Sequence, residues 1–280
     1  MVSVKREQVA GMNQHYKNYP LDYFLDAQQR LGLTSIELWL GAPHFWLDSI
    51  SYDDCKSVYK KVTGRGLKVV SVTSPSMAYQ YQYAPQEKSQ FEKCFRYFSN
   101  GIKAAAELGA KIMTVNSGRG YWNDDADVAF RRSCEMIGKL CRTAESEGIV
   151  LALESLTPME SNIAYNLETT ERLFHEVNHP ALKIMVDTVA TGYSDETIRD
   201  WYETFGDNLI HMHFIDGDRR TYAHCAWGDG VYSLEQELGY LNEFNYTGYL
   251  VQEIMDDRYL ADPLSADIKN LHAVFKFVRD

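Results

Sequence analysis

Residues 147–154 read EGIVLALE: a glycine, an unbroken apolar run, then a carboxylate. The run is too short for a free-standing helix and has no alternating polar positions. It therefore predicts a strand buried on both faces, as in a parallel sheet with helices packed outside it. The residues before it supply such a helix. Over 125–147, Val128, Phe130, Met136, Ile137, Leu140 and Ala144 fall on one stripe of helical period, and Gly148 stands where a left-handed cap is expected. The same order of helix, glycine and strand returns in LGLTSIELW (31–39) and LGAKIMTV (108–115). GRGLKVVSV (64–72), HPALKIMV (179–186) and GDNLIHMH (206–213) repeat it in outline.

Working outward, the pattern gives eight strands, at 8–12, 35–40, 68–72, 111–116, 150–154, 183–186, 209–214 and 249–254. Helical periods occupy 21–31, 53–61, 89–108, 125–147, 169–177, 194–205, 234–241 and 264–278. Eight such units predict an α/β fold, a (β/α)8 TIM barrel, as a single domain over 1–280. A doubly wound sheet would place a GxGxxG turn after its first strand, and none is there. The SGRG at 117–120 reads as a flexible loop after the fourth strand.

Composition narrows the function. The chain of 280 residues is 45% hydrophobic and 24% charged, ordinary for a soluble globular protein. No apolar run reaches the length of a membrane span, and the N-terminal residues lack a signal-peptide pattern. The five cysteines are odd in number, with no CxxC spacing, so a reducing, cytoplasmic setting is expected. A net charge of −11 works against a phosphate-tracking surface, so no nucleic-acid partner is expected and a small neutral or cationic substrate suits the chain better.

The chemistry-bearing residues fall at strand ends. Glu154 closes the fifth strand, Asp187 the sixth, and His213 and Glu253 lie late in the seventh and eighth. In a barrel those ends meet around one mouth. Three carboxylates gathered there repel one another and lose hydration, a double cost that a divalent cation removes. Oxygen ligands with one imidazole favour Mn2+, Mg2+ or Co2+. His211 shares His213's side of the strand, one layer deeper, placed to orient a ligand or substrate through its second nitrogen. Glu160, after Pro158, is expected to fold over the mouth and receive a substrate hydroxyl. Arg219 and His224 stand in the polar loop after the seventh strand as candidate holders of a ligand oxygen. Glu37 and His44 mark the mouth after the second strand, and Asn13, Gln14 and His15 mark it after the first. Tyr79, Tyr81, Tyr83, Phe45 and Trp46 are expected to roof the cavity, or to pack on neighbouring loops or a partner subunit.

GLTSIELW (32–39), LALESLTPMESN (151–162), KIMVDT (183–188), HMHFID (211–216) and YLVQE (249–253) occur in an order and spacing that resemble the xylose-isomerase-like barrel superfamily of sugar isomerases and epimerases. Within it the chain is similar to the fructoselysine 3-epimerase branch, and more distantly to the tagatose and psicose 3-epimerases. The resemblance implies one divalent metal ion per chain, Mn2+ ahead of Mg2+, Co2+, Ni2+ or Zn2+, held by Glu154, Asp187, His213 and Glu253. It implies that Glu154 and Glu253 double as the acid/base pair, and that Glu160 and Arg219 bind substrate oxygens. His15, His44, Glu37, His211 and His224 complete the candidate substrate-binding set. The implied substrate is a ketose or ketosamine whose C3 is inverted through an enediolate, in a homodimer or homotetramer. Aldose–ketose isomerisation, inosose dehydration and a non-catalytic metal-binding barrel are the alternatives. The chain departs from the ketohexose pattern at Ala190, where those enzymes carry a substrate-binding histidine. His224 and WGDG (227–230) resemble the fructoselysine branch's histidine and glycine-rich loop, with its usual proline and glutamate replaced.

Overall fold

The computed structural model describes residues 4–77 and 80–278. Eight strands, β1 (Val9–Met12), β2 (Ser35–Trp39), β3 (Lys68–Thr73), β4 (Ile112–Asn116), β5 (Val150–Glu154), β6 (Leu182–Asp187), β7 (Leu209–His213) and β8 (Tyr249–Gln252), close a barrel in sequence order. Every neighbouring pair is parallel, β8 returning to β1. This is the expected (β/α)8 barrel. Outside it run α1 (Leu21–Arg30), α2 (Cys55–Thr63), α3 (Lys88–Glu107), α4 (Ala126–Glu147), α5 (Leu167–Val177), α6 (Thr188–Tyr193), α7 (Ile198–Phe205), α8 (Leu234–Glu243) and α9 (Pro263–Val274). Among the described residues no helix is long and apolar enough to cross a membrane.

The helix ends follow local chemistry. Asp125 caps α4 by accepting from Asp127 N, and Gly148 closes it at φ +68°. Asn166 and Thr169 form a capping box on α5, as do Thr197 and Asp200 on α7. The helix expected over 194–205 therefore starts at Ile198, behind its own cap. Helix α6 was not expected, because TVATGY carries no apolar stripe of helical period. It forms because Asp187 Oδ1 accepts from Val189 N at 2.6 Å and Ala190 N at 3.4 Å. At the other margin, β8 stops at Gln252 rather than 254, since Glu253 N and Ile254 N turn back onto Val251 O and Gln252 O.

The main core lies between strands and helices, where Leu38, Phe98, Met113, Leu140, Leu153, Ile184 and Trp201 are buried. Each such side chain contributes about 1.5–3 kcal/mol of transfer free energy. Inside the barrel, Ala10, Met12, Trp39, Val70 and Val251 form a separate apolar cluster. Register then decides what faces the mouth. Glu154 pairs with Met185, Asp187 with His213, and His213 with Val251. Because side chains alternate, Glu154, Asp187, His213 and Glu253 all take the inward side.

Candidate metal and catalytic site

His213 is the centre of the cluster and is fully buried. Its Nδ1 lies 2.9 Å from Glu154 Oε1, 2.8 Å from Glu253 Oε2 and 4.0 Å from Asp187 Oδ2. One ligand atom from each of these four residues lies within 4.8 Å of the others. Asp187 divides its carboxylate: Oδ1 caps α6, while Oδ2 accepts from His224 Nε2 at 2.8 Å. His224 Nε2 also lies 3.3 Å from Glu253 Oε2.

Beneath them sits Glu37, fully buried in β2. It accepts from Ser71 Oγ and Thr73 Oγ1, both at 2.5 Å, from His211 Nε2 at 2.6 Å and from His213 Nε2 at 3.0 Å. Burial alone would raise this carboxyl, but the two histidines outweigh burial and hold it well below its usual range. With Nε2–H given to Glu37, Nδ1 faces three carboxylates, and the acids around the ring outweigh burial and raise His213 well above its ordinary value, so Nδ1 holds a proton unless a cation takes its place. That buried Nδ1 meets no partner other than these carboxylates. The cluster therefore calls for a positive charge between Nδ1 and the three carboxylates, which a proton supplies in the free protein and a divalent ion on these four residues fits. Three oxygens and one imidazole suit Mn2+, Mg2+, Co2+ or Zn2+.

The two glutamates are pushed apart in basicity. Burial raises Glu154 to about 7, with His213 offsetting part of the effect. Burial acts likewise on Glu253, but His213 and His224 more than offset it and hold that carboxyl at about 2.

Above the cluster opens a cavity of about 420 Å³, walled by Glu154, Glu160, Asp187, His224 and Glu253 among others. Glu160 Oε2 accepts from Thr157 N and Oγ1, which folds the loop after β5 over the mouth. Several expected positions differ. Glu37 lies in the layer below the mouth, because it is mid-strand and its partners come from β3 and β7, and His211 joins it there, one layer deeper than His213 as expected. His15 gives Nε2 to Asp267, 2.9 Å away, which Tyr16 and Gln28 also bind. This buried network ties the β1 loop to α9, away from the cavity. His44 bonds Tyr19 O and Asn13 Nδ2, both at 2.8 Å, and so pins two loops together. Of the aromatics expected as a roof, Phe45 and Tyr83 are buried in the main core, Tyr81 stacks on Tyr97, and Trp46 is exposed. Tyr79 lies outside the described residues.

Arg219 is likewise off the cavity wall. Its guanidinium sits 3.3 Å from Asp195 and over the Tyr232 ring. It also bears on half-buried Glu237, whose carboxyl burial raises to about 7 against Arg219's opposing charge. A carboxyl raised by folding favours the native state below its ordinary value and loses that advantage as pH rises through 7. Glu237→Gln is therefore expected to stabilise the protein at pH 8, by on the order of 1–2 kcal/mol after allowing for solvent screening, and to change little at pH 4. Urea unfolding at both pH values checks this, and an equal effect at both would contradict it.

The cavity also exposes residues that the sequence did not single out. Trp39, Asn116, Arg119, Met159, Tyr222 and Met255 stand on its wall. The SGRG turn, expected to be flexible, is anchored by Asn116, Gln82 and Asn162. Only the position of Arg119 between two glycines on a strand-end loop could have marked it as exposed to a ligand.

A family model described as xylose isomerase-like TIM barrel matches residues 25–276. Fructoselysine 3-epimerase of Shigella flexneri is 24% identical over 248 residues, covering 89% of this chain and 90% of that one. Among solved structures, 3-keto-D-glucoside 4-epimerase from E. coli superposes with a TM-score of 0.80 at 17% identity, over 96% of this chain and 99% of that one. D-psicose 3-epimerase from Clostridium cellulolyticum H10, solved with D-tagatose, gives 0.77 at 16% identity, over 97% and 100%. These superpositions describe a shared fold.

Proposed function

The chain belongs to the xylose isomerase-like TIM barrel family, and from that premise we propose that it is a divalent-metal-dependent epimerase inverting C3 of a ketose or ketosamine of the fructoselysine/psicoselysine type through an enediolate. The observation that carries the reading is the meeting of two glutamates, Glu154 and Glu253, at one imidazole nitrogen on the floor of a substrate-sized cavity. A divalent cation on Glu154, Asp187, His213 and Glu253 would supply the Lewis acidity that makes a proton beside a carbonyl removable.

The remaining work falls to the protein's own groups. Glu154 and Glu253 project from β5 and from the end of β8, strands separated by β6 and β7 in the barrel. They approach a bound sugar from different directions. One carboxylate takes the C3 proton, and the other delivers a proton to the opposite face of the planar enediolate. Transfer by a positioned carboxylate is worth about 10²–10⁴-fold. Glu37 holds the His213 ring, and Glu160 faces the sugar from the loop above. Ala190, on the cavity wall, stands where the ketohexose pattern has a histidine. The missing ring favours a ketose that carries a substituent.

The test is deuterium exchange. Mn2+-loaded protein is incubated in D2O with fructoselysine, fructose, psicose and tagatose and followed by NMR. Deuterium is expected at C3 of at least one of them, abolished by chelator and restored by Mn2+. Label at C1 alone would replace the epimerase with an aldose–ketose isomerase, and metal-restored exchange at no carbon would overturn the catalytic reading.

A further inference from the structure

Arg119 is the one arginine or lysine, among the described residues, on the cavity wall above Glu154 and Glu253. The acidic residues of that wall are Glu154, Glu160, Asp187 and Glu253. Even so, its guanidinium makes no ion pair, hydrogen bond or ring contact among the described residues. Arg65 is engaged by Asp22 and Asp26, Arg172 by Asp127, Arg199 by Glu243 and Arg258 by Asp256, whereas Arg119, exposed at the cavity wall, faces no such acid among the described residues. An arginine left without a partner beside a ligand cavity is five donors awaiting an acceptor.

The backbone that carries it is fixed. Gly118 N donates to Asn116 Oδ1 at 3.0 Å, Arg119 N to Gln82 Oε1 at 3.3 Å, and Gly120 N to Asn162 Oδ1 at 2.9 Å. Gly118 has φ +66°, and a Cβ there would fall 2.8 Å from Tyr83 N, so the turn admits glycine alone in this packing. Three consecutive amides thus hold the residue in place while its charged end stays unspent. The cavity's 420 Å³ lies within the roughly 300–1,000 Å³ of pockets that enclose ligands larger than a bare hexose.

Resting on the epimerase reading of this site, we propose that its substrate carries an anionic group, a carboxylate or a phosphate, at the end remote from C3, and that Arg119 binds it. Four carboxylates elsewhere on the wall disfavour a second anion near them. The charged end is thereby directed to Arg119, and the substrate's orientation with it.

The test compares wild type, Arg119→Gln and Arg119→Lys on fructoselysine, fructose 6-phosphate and fructose. The ratio of kcat/KM for the carboxylate- or phosphate-bearing ketose over fructose is expected to fall about tenfold in Arg119→Gln, through KM rather than kcat, with partial recovery in Arg119→Lys. Whichever anionic ketose loses its advantage tells carboxylate from phosphate. A ratio unchanged by Arg119→Gln, or turnover of fructose alone, overturns the proposal. Should wild type exchange C3 of no ketose, the epimerase reading fails by itself. Calorimetric binding of the same three sugars to wild type and Arg119→Gln then decides Arg119's role, equal affinities refuting it.

Discussion

Replacing Glu154 or Glu253 by glutamine is expected to lower turnover at C3 by about 10²–10⁴-fold while leaving the protein folded. Glutamine keeps the shape and one acceptor oxygen of the side chain but cannot take up a proton at neutral pH. Both carboxylates lie within 3 Å of His213 Nδ1 at the floor of the cavity, Glu253 buried at 7% exposure and Glu154 partly buried. Bulk water therefore cannot readily replace either as a base. The two positions are not equivalent, because Glu253 lies beside both His213 and His224 while Glu154 lies beside His213 alone of the two. If each acid serves one face of the sugar, the variants should differ in which epimer still exchanges its C3 proton with D2O. Single-turnover exchange from both epimers reads this directly, with metal content and melting temperature as controls. A near-normal rate in either variant would remove that residue from the proton-transfer pair.

The barrel and its acidic mouth were legible for one reason. Runs such as EGIVLALE and KIMVD are buried by their composition, and each stops at a carboxylate that has no place in an apolar core. Loss of register information explains what was missed. In SIELW, Glu37 alternates with Ile36 and Leu38, so parity alone aims it into the barrel. What it does there depends on Ser71, Thr73, His211 and His213, partners 34 to 176 residues away. His15 is a stronger case, since its place is decided by Asp267, 252 residues on. Arg219 and Arg119 look alike in sequence, as single cations in strand-end loops. Asp195 engages the first, while side chains from its own strand and from two other segments pin the turn that carries the second. Helix α6 depends on one carboxylate oxygen of Asp187, a cap rather than a pattern.

Removal of Glu37 is expected to produce the largest loss of stability of any change near the site. Its carboxylate, itself fully buried, satisfies four donors: Ser71, Thr73, His211 and His213. Glu37→Ala would leave all four without their acceptor and open a void, and breaking a buried charged pair of this kind costs about 3–5 kcal/mol. Because folding depresses this carboxyl below its ordinary value of 4.5, its contribution is complete above that value and is lost only as pH falls through the depressed one. The deficit should then be constant between pH 6 and 8. Glu37→Gln separates support of the metal from support of the fold. It preserves volume and one acceptor but gives the His213 Nε2–H a neutral partner in place of an anion, which weakens the donor strength of Nδ1. Mn2+ affinity, followed by thermal shift against metal concentration, is expected to fall about 10–100-fold in that variant, with Mg2+ and Co2+ moving in the same direction. A Glu37→Ala protein within 1 kcal/mol of wild type, or a Glu37→Gln protein with wild-type metal affinity, would mean that the His213 ring is held by its strand alone and that the layer beneath the mouth has no part in preparing it.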